Sequence, residues 1–202
     1  MNTQERASYH EAGHVVAYYI YGWKVKSANI KQFPREDGAG TVAGQTFVEE
    51  PRELSAIDLI LSGICCTLAG PMAEQKAAGE RPGSITMTFR EDAEHVFALC
   101  AELTKDKADF DAAAKHGMNR ALDLIGLQWA AISGVAKALQ EKQELSESEI
   151  AELCTKLLVK KQTSTPPPIL DTKAAVKRLK KVPKPPLFAP KHWVEGEDYE
   201  PS

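Results

Sequence analysis

Five consecutive residues near the amino terminus, His10-Glu11-Ala12-Gly13-His14, form the pattern H-E-x-x-H. On an α-helix, side chains four residues apart lie on the same face, so His10 and His14 can bind one metal ion with Glu11 beside it. Zinc prefers a tetrahedral set of nitrogen, sulfur or oxygen ligands, and a catalytic site keeps one position open for water. The pattern therefore predicts a Zn²⁺ site with His10 and His14 as ligands.

Glu11 adds an acid–base group to this site. Zinc lowers the pKa of a bound water to about 7 and polarises a carbonyl oxygen, and a neighbouring carboxylate can take the proton as that water attacks. The sequence thus predicts a hydrolase of acyl bonds with Glu11 as the catalytic general base.

The motif needs a helix, and the flanking residues favour one. Asn2 or Thr3 can cap its start, Glu5 suits its first turn, and Gly22 can end it. Apolar residues continue the buried face after the motif, at positions 15, 16, 19 and 20.

Length and composition indicate one domain with a tail. The chain has 202 residues, of which 43% are hydrophobic, enough for a sizeable core. We assign residues 1–161 to a zinc metallopeptidase-like domain and residues 162–202 to a flexible, Pro-rich tail that is first basic and then acidic. The net charge of -3 gives no overall bias toward nucleic acid, which we do not expect as a partner.

Several features favour a soluble cytoplasmic protein. The residues before the motif are polar, unlike a secretory leader, and no run reaches the roughly 18 to 20 apolar residues of a membrane span. The four cysteines form no C-x-x-C pair, which is typical of free thiols in a reducing compartment. Cys65 and Cys66 are expected to be buried, with zinc binding as the less favoured alternative.

The rest of the domain is predicted to be mainly helical (α+β) with a small sheet. Residues 24–33 and 40–48 are rich in strand-forming side chains and flank a turn at residues 34–38, which predicts a β-hairpin after the first helix. A second helix is predicted from about residue 52 to residue 68, and Pro71 bends or restarts it through residue 78.

Three further helical regions follow. Thr88 and Glu91 fit a capping box for the first, residues 108–141 form a longer helical region, and Ser146 with Glu149 fits a capping box for the last, which runs to about residue 159.

Two histidines make an incomplete zinc site, so another His, Asp or Glu should supply the third ligand. Spacing alone leaves seven candidates: Glu74, Glu80, Glu91, Asp92, Glu94, His95 and His116. His95 follows Asp92 by one helical turn, so it can also stabilise a developing oxyanion or orient a ligand.

The order of motifs resembles the peptidase domain of the FtsH-type ATP-dependent zinc metalloproteases. The resemblance extends over residues 8–158 and includes Leu68-Ala69-Gly70, Ala73-Glu74 and Asp92-Ala93-Glu94, although only the first motif is highly specific. It implies that Asp92 completes the zinc site. The chain departs from the family pattern at Pro71 and at Glu91, and Glu91 stays open as an alternative ligand.

The expected substrate is an unfolded or flexible polypeptide. Residues 40–46 are a candidate strand edge for pairing with an extended substrate, or else an ordinary hairpin strand. No P-loop pattern G-x-x-x-x-G-K-[ST] occurs and nine residues precede His10, so we expect the domain to work without an ATPase module of its own.

The resemblance also implies partners and leaves rival functions open. Family members form rings, so self-association is expected. A separate ATPase or another protein can bind the tail, which contains seven basic residues, Lys173, Lys177, Arg178, Lys180, Lys181, Lys184 and Lys191. The alternatives to a metalloendopeptidase are a zinc-binding adaptor or inhibitor without proteolytic activity, and a zinc hydrolase of a small amide.

Overall fold

The computed structural model describes residues 1–34, 41–51, 54–82, 90–104 and 106–158. Within them lie six helices and a small antiparallel sheet, so the predicted fold class, mainly helical with a small sheet, is confirmed. The elements are α1 (Thr3–Ile20), β1 (Lys24–Pro34), β2 (Thr41–Glu49), α2 (Ala56–Ala77), α3 (Arg90–Leu103), α4 (Lys107–Leu127), α5 (Trp129–Lys142), β3 (Glu144–Ser146) and α6 (Glu147–Leu157). The hairpin turn after Pro34, the capping residue Thr88 and the tail at 162–202 lie outside the described residues.

Helix α1 carries the metal motif and lies at the centre of the domain. The side chain of Asn2 accepts a hydrogen bond from the Glu5 amide, and the Glu5 carboxylate accepts one from the Asn2 amide, each at 2.8 Å. This reciprocal pair satisfies two amides at the helix start, as the sequence predicted for Asn2. Val15 and Val16 are fully buried, and α1 packs against α2, α5 and the sheet.

Helix α2 is the second central element. It begins at Ala56, later than predicted, because Ser55 caps it by accepting from the Asp58 amide at 3.2 Å. Every residue from Ile60 to Gln75 is buried. Its length and hydropathy would also suit a membrane span, but 78% of its most apolar window is buried inside the protein, as in a core helix.

Pro71 lies inside α2 without ending it. The sequence-based alternative of a restart at Pro71 is therefore wrong. Proline removes one amide donor from the helical ladder, but the continuous burial on both sides of Pro71 stabilises the helix through this position.

The sheet has the order β2-β1-β3, with both pairs antiparallel. β1 is central, and β3 adds Leu145 opposite Ala28. The sequence predicted only a hairpin, because a three-residue strand that also caps a helix has no pattern of its own. β2 pairs with β1 along one edge, and among the described residues no strand covers its other edge.

The helical region predicted at residues 108–141 is two helices. The axis turns by 79° between α4 and α5, at Gln128. Gln128 is buried and ends α4 by donating its amide to Leu124 O at 2.8 Å. This turn lets α5 pack against α1 while α4 packs against α2.

Candidate metal centre

Three side chains from two helices converge at the motif. His10 and His14 project from α1, and their Nε2 atoms are 3.1 Å apart. Asp92, in the first turn of α3, places Oδ2 at 3.1 Å from His10 Nε2 and Oδ1 at 3.5 Å from His14 Nε2. Within the part of the chain that the structure describes, this is the group of His, Cys, Asp and Glu side chains with atoms close enough to hold a metal ion.

The second nitrogen of each imidazole is bound to helix α2. His14 Nδ1 lies 2.9 Å from the carbonyl oxygen of Cys66, which can only accept, so Nδ1 carries the proton. His10 Nδ1 lies 3.0 Å from Oε2 of Glu74. A carboxylate or carbonyl behind each histidine is the usual means by which proteins fix the tautomer of a metal ligand. Neutral rings in this arrangement direct the Nε2 lone pairs at each other and at Asp92.

This donor set fits a small divalent cation. Nitrogen and oxygen ligands bind tetrahedral zinc at about 2.0–2.2 Å, which separates the ligand atoms from each other by roughly 3.3 Å. The observed separations are 3.1 to 3.5 Å. Two lone pairs and a carboxylate facing one another repel unless a proton or a metal cation lies between them, so this donor set can accommodate Zn²⁺.

The two imidazoles have opposite pKa shifts in the absence of a metal. Burial lowers the pKa of His14 to about 4, so this imidazole is neutral at neutral pH. Burial also acts to lower the pKa of His10, but the charge of Asp92 and the hydrogen bonds to Asp92 and Glu74 outweigh it and raise the pKa well above its usual value. Without a metal, a proton on His10 supplies the positive charge.

Close packing of α1 against α2 leaves room only for glycine at two positions. A Cβ atom at Gly70 would lie 2.2 Å from Nε2 of His14, and one at Gly13 would lie 2.4 Å from the carbonyl oxygen of Ala69. Gly70 therefore leaves the space that the His14 ring occupies, and Gly13 lets the two helices approach each other.

Glu11 is buried beside this centre and contacts strand β2. Its Oε2 accepts a hydrogen bond from the Thr46 hydroxyl at 2.7 Å. A Cβ at Gly44, where φ is +104°, would lie 2.7 Å from Glu11 Oε1, so the backbone of β2 runs directly against the carboxylate. Burial raises the pKa of Glu11 to about 7, a value suited to a general base near neutral pH.

The remaining ligand candidates lie apart from the three converging atoms. Glu80 binds Arg6, Glu91 and Glu94 are exposed on α3, and His116 is half-buried on α4. His95 Nδ1 lies 3.4 Å from the Thr67 hydroxyl. Its role in oxyanion stabilisation stays a prediction.

The cysteines are all buried free thiols, and the site uses only the backbone oxygen of Cys66. Sequence reasoning did not foresee three contacts at the site. Glu74 was considered as a ligand, but it lies behind His10. Thr46 was considered only as part of the candidate edge at residues 40–46, and Arg6 was given no role. These contacts join residues 35 to 68 positions apart, so spacing along the chain carries no signal for them.

Comparisons with protein-family models and with curated proteins found no match. No protein-family model matches the chain, and no curated protein matches it significantly.

Proposed function

We propose that this chain is a zinc-dependent metalloendopeptidase of the FtsH type that hydrolyses peptide bonds in unfolded or flexible polypeptides. The observation that carries the proposal is the convergence of His10 Nε2, His14 Nε2 and the Asp92 carboxylate within 4.8 Å of one another. The buried carboxylate of Glu11, on the same helix, supplies the base.

The residues have separate roles in this proposal. His10, His14 and Asp92 would hold Zn²⁺, which when bound activates water and polarises a carbonyl. Glu11 would accept the proton of the attacking water and pass it to the leaving amine. The Thr46 hydroxyl holds one oxygen of Glu11, so the carboxylate has a fixed orientation for this transfer.

The position of β2 supports the proposal of a polypeptide substrate. This strand has a free edge among the described residues, and its backbone at Gly44 runs against Glu11. An extended chain that pairs with this edge would bring its carbonyl groups toward the base through main-chain hydrogen bonds, with little demand on sequence. Self-association and a separate ATPase partner stay predictions from the family resemblance.

The test compares wild type with Glu11→Gln. Both proteins are measured for bound zinc and for cleavage of an unstructured polypeptide. We expect equal zinc in both and cleavage by wild type alone, with a loss of at least about 100-fold in the variant, the usual contribution of a general base.

The other outcomes favour one of the alternative functions or contradict the metal site. Equal zinc without cleavage by either protein contradicts the peptidase and favours the adaptor or inhibitor. Equal zinc with cleavage of small amides but not of polypeptides favours the small-amide hydrolase. Absence of zinc from both proteins contradicts the metal site itself.

A further inference from the structure

We propose that Arg6 is a positioning residue of the metal centre, which acts through Glu74 to hold His10 in the orientation that binds the ion. This inference rests on the proposed zinc site and adds a residue that does not contact the ion.

A continuous chain of contacts leads from Arg6 to the site. Arg6 Nε donates to Glu74 Oε1 at 2.6 Å, and the other oxygen of the same carboxylate, Oε2, lies 3.0 Å from His10 Nδ1. Arg6 and His10 are one helical turn apart on α1, whereas Glu74 lies near the end of α2. The carboxylate is therefore held from both sides, with each oxygen bound to a different residue of α1.

Arg6 also fixes its own position through a second contact. Its terminal nitrogen donates a hydrogen bond to Glu80 Oε1 at 3.0 Å. Glu80 follows Gly79, whose φ of +72° turns the backbone after the end of α2. The planar guanidinium can bind two carboxylates in fixed directions, which a lysine ammonium does less well. Arg6 thus joins the start of α1 to both Glu74 and Glu80.

The contact matters because Glu74 is buried and His10 depends on it. The Glu74 side chain is 11% exposed, and that of Arg6 is 33% exposed. Removing the Arg6 bond would free Glu74 Oε1 and let the carboxylate rotate away from His10 Nδ1. The imidazole could then turn, and the Nε2 lone pair would no longer be directed at the ion.

The test is a double-mutant cycle on zinc affinity, measured by competition with a chelator. Loss of an outer partner of a metal ligand costs about 10- to 100-fold in affinity, which we expect for Glu74→Gln. For Arg6→Gln, one contact further out, we expect a loss of about 3- to 10-fold, with partial recovery in Arg6→Lys. In the Glu74→Gln background, Arg6→Gln should cause no further loss, because its effect runs through Glu74.

Glu80→Gln is the matched control, since it removes the charge of the other carboxylate that Arg6 binds and leaves the Arg6–Glu74 bond in place; it should change zinc affinity less than about two-fold. Thermal unfolding of the zinc-free proteins reports any general loss of stability separately. The inference is overturned if Arg6→Gln leaves zinc affinity unchanged, if its effect adds to that of Glu74→Gln, or if Glu80→Gln weakens binding equally. Failure of wild type to bind zinc would instead refute the proposed function.

Discussion

At the scale of single residues, the site depends on groups that hold the ligands as much as on the ligands. Each imidazole uses Nδ1 to contact α2, so Nε2 is left for the proposed ion. Gly70 contributes by having no side chain, since the His14 ring occupies the space that a Cβ would need. The role of Gly70 can be tested by a substitution that leaves the proposed ligand His14 itself unchanged.

We expect Gly70→Ala to weaken zinc binding by about 10-fold or more, because the new methyl group displaces the His14 imidazole. Gly117→Ala is a matched control: its Cβ would lie 2.3 Å from Ile64 Cγ2, an equally severe contact involving no site residue. Both changes should lower the free energy of unfolding by about 1–3 kcal/mol. Chelator competition should detect reduced zinc affinity in Gly70→Ala alone, and an equal reduction in Gly117→Ala would contradict the role of Gly70.

The buried Glu11 carboxylate should make the zinc-free protein less stable as the pH rises. Its pKa is about 7 when folded and near 4.5 when unfolded, so the folded state binds the proton more tightly. Stability from this group is complete below pH 4.5 and is lost as the pH rises toward 7. We therefore expect Glu11→Gln to be more stable than wild type at pH 8 by about 1–3 kcal/mol, and nearly equal to it at pH 4.5.

Denaturant unfolding at the two pH values measures this difference. If Glu11→Gln is less stable than wild type at pH 8, the buried Glu11 carboxylate does not lower the free energy of unfolding at that pH. The result would also bear on function, because residues tuned for catalysis are commonly kept at a cost in stability.

At the scale of elements, the features that sequence predicts well are those specified by neighbouring residues. Helix α1 follows from its Asn2 cap, its apolar spacing and Gly22, and all three act within one element. The break at Gln128 was missed because the nearest glycine, Gly126, lies inside α4 and no Gly or Pro stands at the break itself. Strand β3 was missed because pairing with β1, from which it is over a hundred residues distant, specifies it.

The residues of the candidate site also differ in how well the sequence predicts them. His10, Glu11 and His14 are local to one helix and can be read from spacing. Asp92 was chosen among seven candidates only through a family resemblance, because its approach to His10 depends on how α3 packs against α2. The position of Glu74 behind His10 likewise depends on how α2 packs against α1.

The last helix offers a local test of an element. The Glu149 carboxylate accepts hydrogen bonds from the amide of Ser146 at 2.8 Å and from its hydroxyl at 2.7 Å, and it also binds Lys142. The hydrogen bond from Lys142, followed by those from Ser146, lowers the pKa of Glu149 to about 2. Its stabilisation is therefore present above pH 4.5 and is lost as the pH falls toward 2.

We expect Glu149→Gln to lower the melting temperature at pH 7 and to have a much smaller effect at pH 2.5, whereas Glu152→Gln, exposed on the same helix, has little effect at either pH. Circular dichroism melting curves measure both. Equal melting temperatures for wild type and Glu149→Gln at pH 7 would contradict a stabilising role for the charge of the Glu149 carboxylate.

At the scale of the whole molecule, the proposed ion connects elements that are distant in sequence. Its ligands come from α1 and α3, their supporting groups from α2, and the edge strand β2 lies against the base on α1. α1 and α2 form the framework, since α1 packs against the sheet and α5, and α2 against α3 and α4. The fold therefore brings the proposed metal site, the proposed base and a strand edge that no other described strand covers together on one buried framework.

The central claim is that His10, His14 and Asp92 hold zinc together, and a crystal structure of the zinc-loaded protein tests it most directly. An anomalous difference map recorded at the zinc edge locates the ion independently of the protein coordinates. The account predicts a peak about 2.0–2.2 Å from both Nε2 atoms and from a carboxylate oxygen of Asp92. No peak between these three side chains, or zinc bound elsewhere in the molecule, would contradict it.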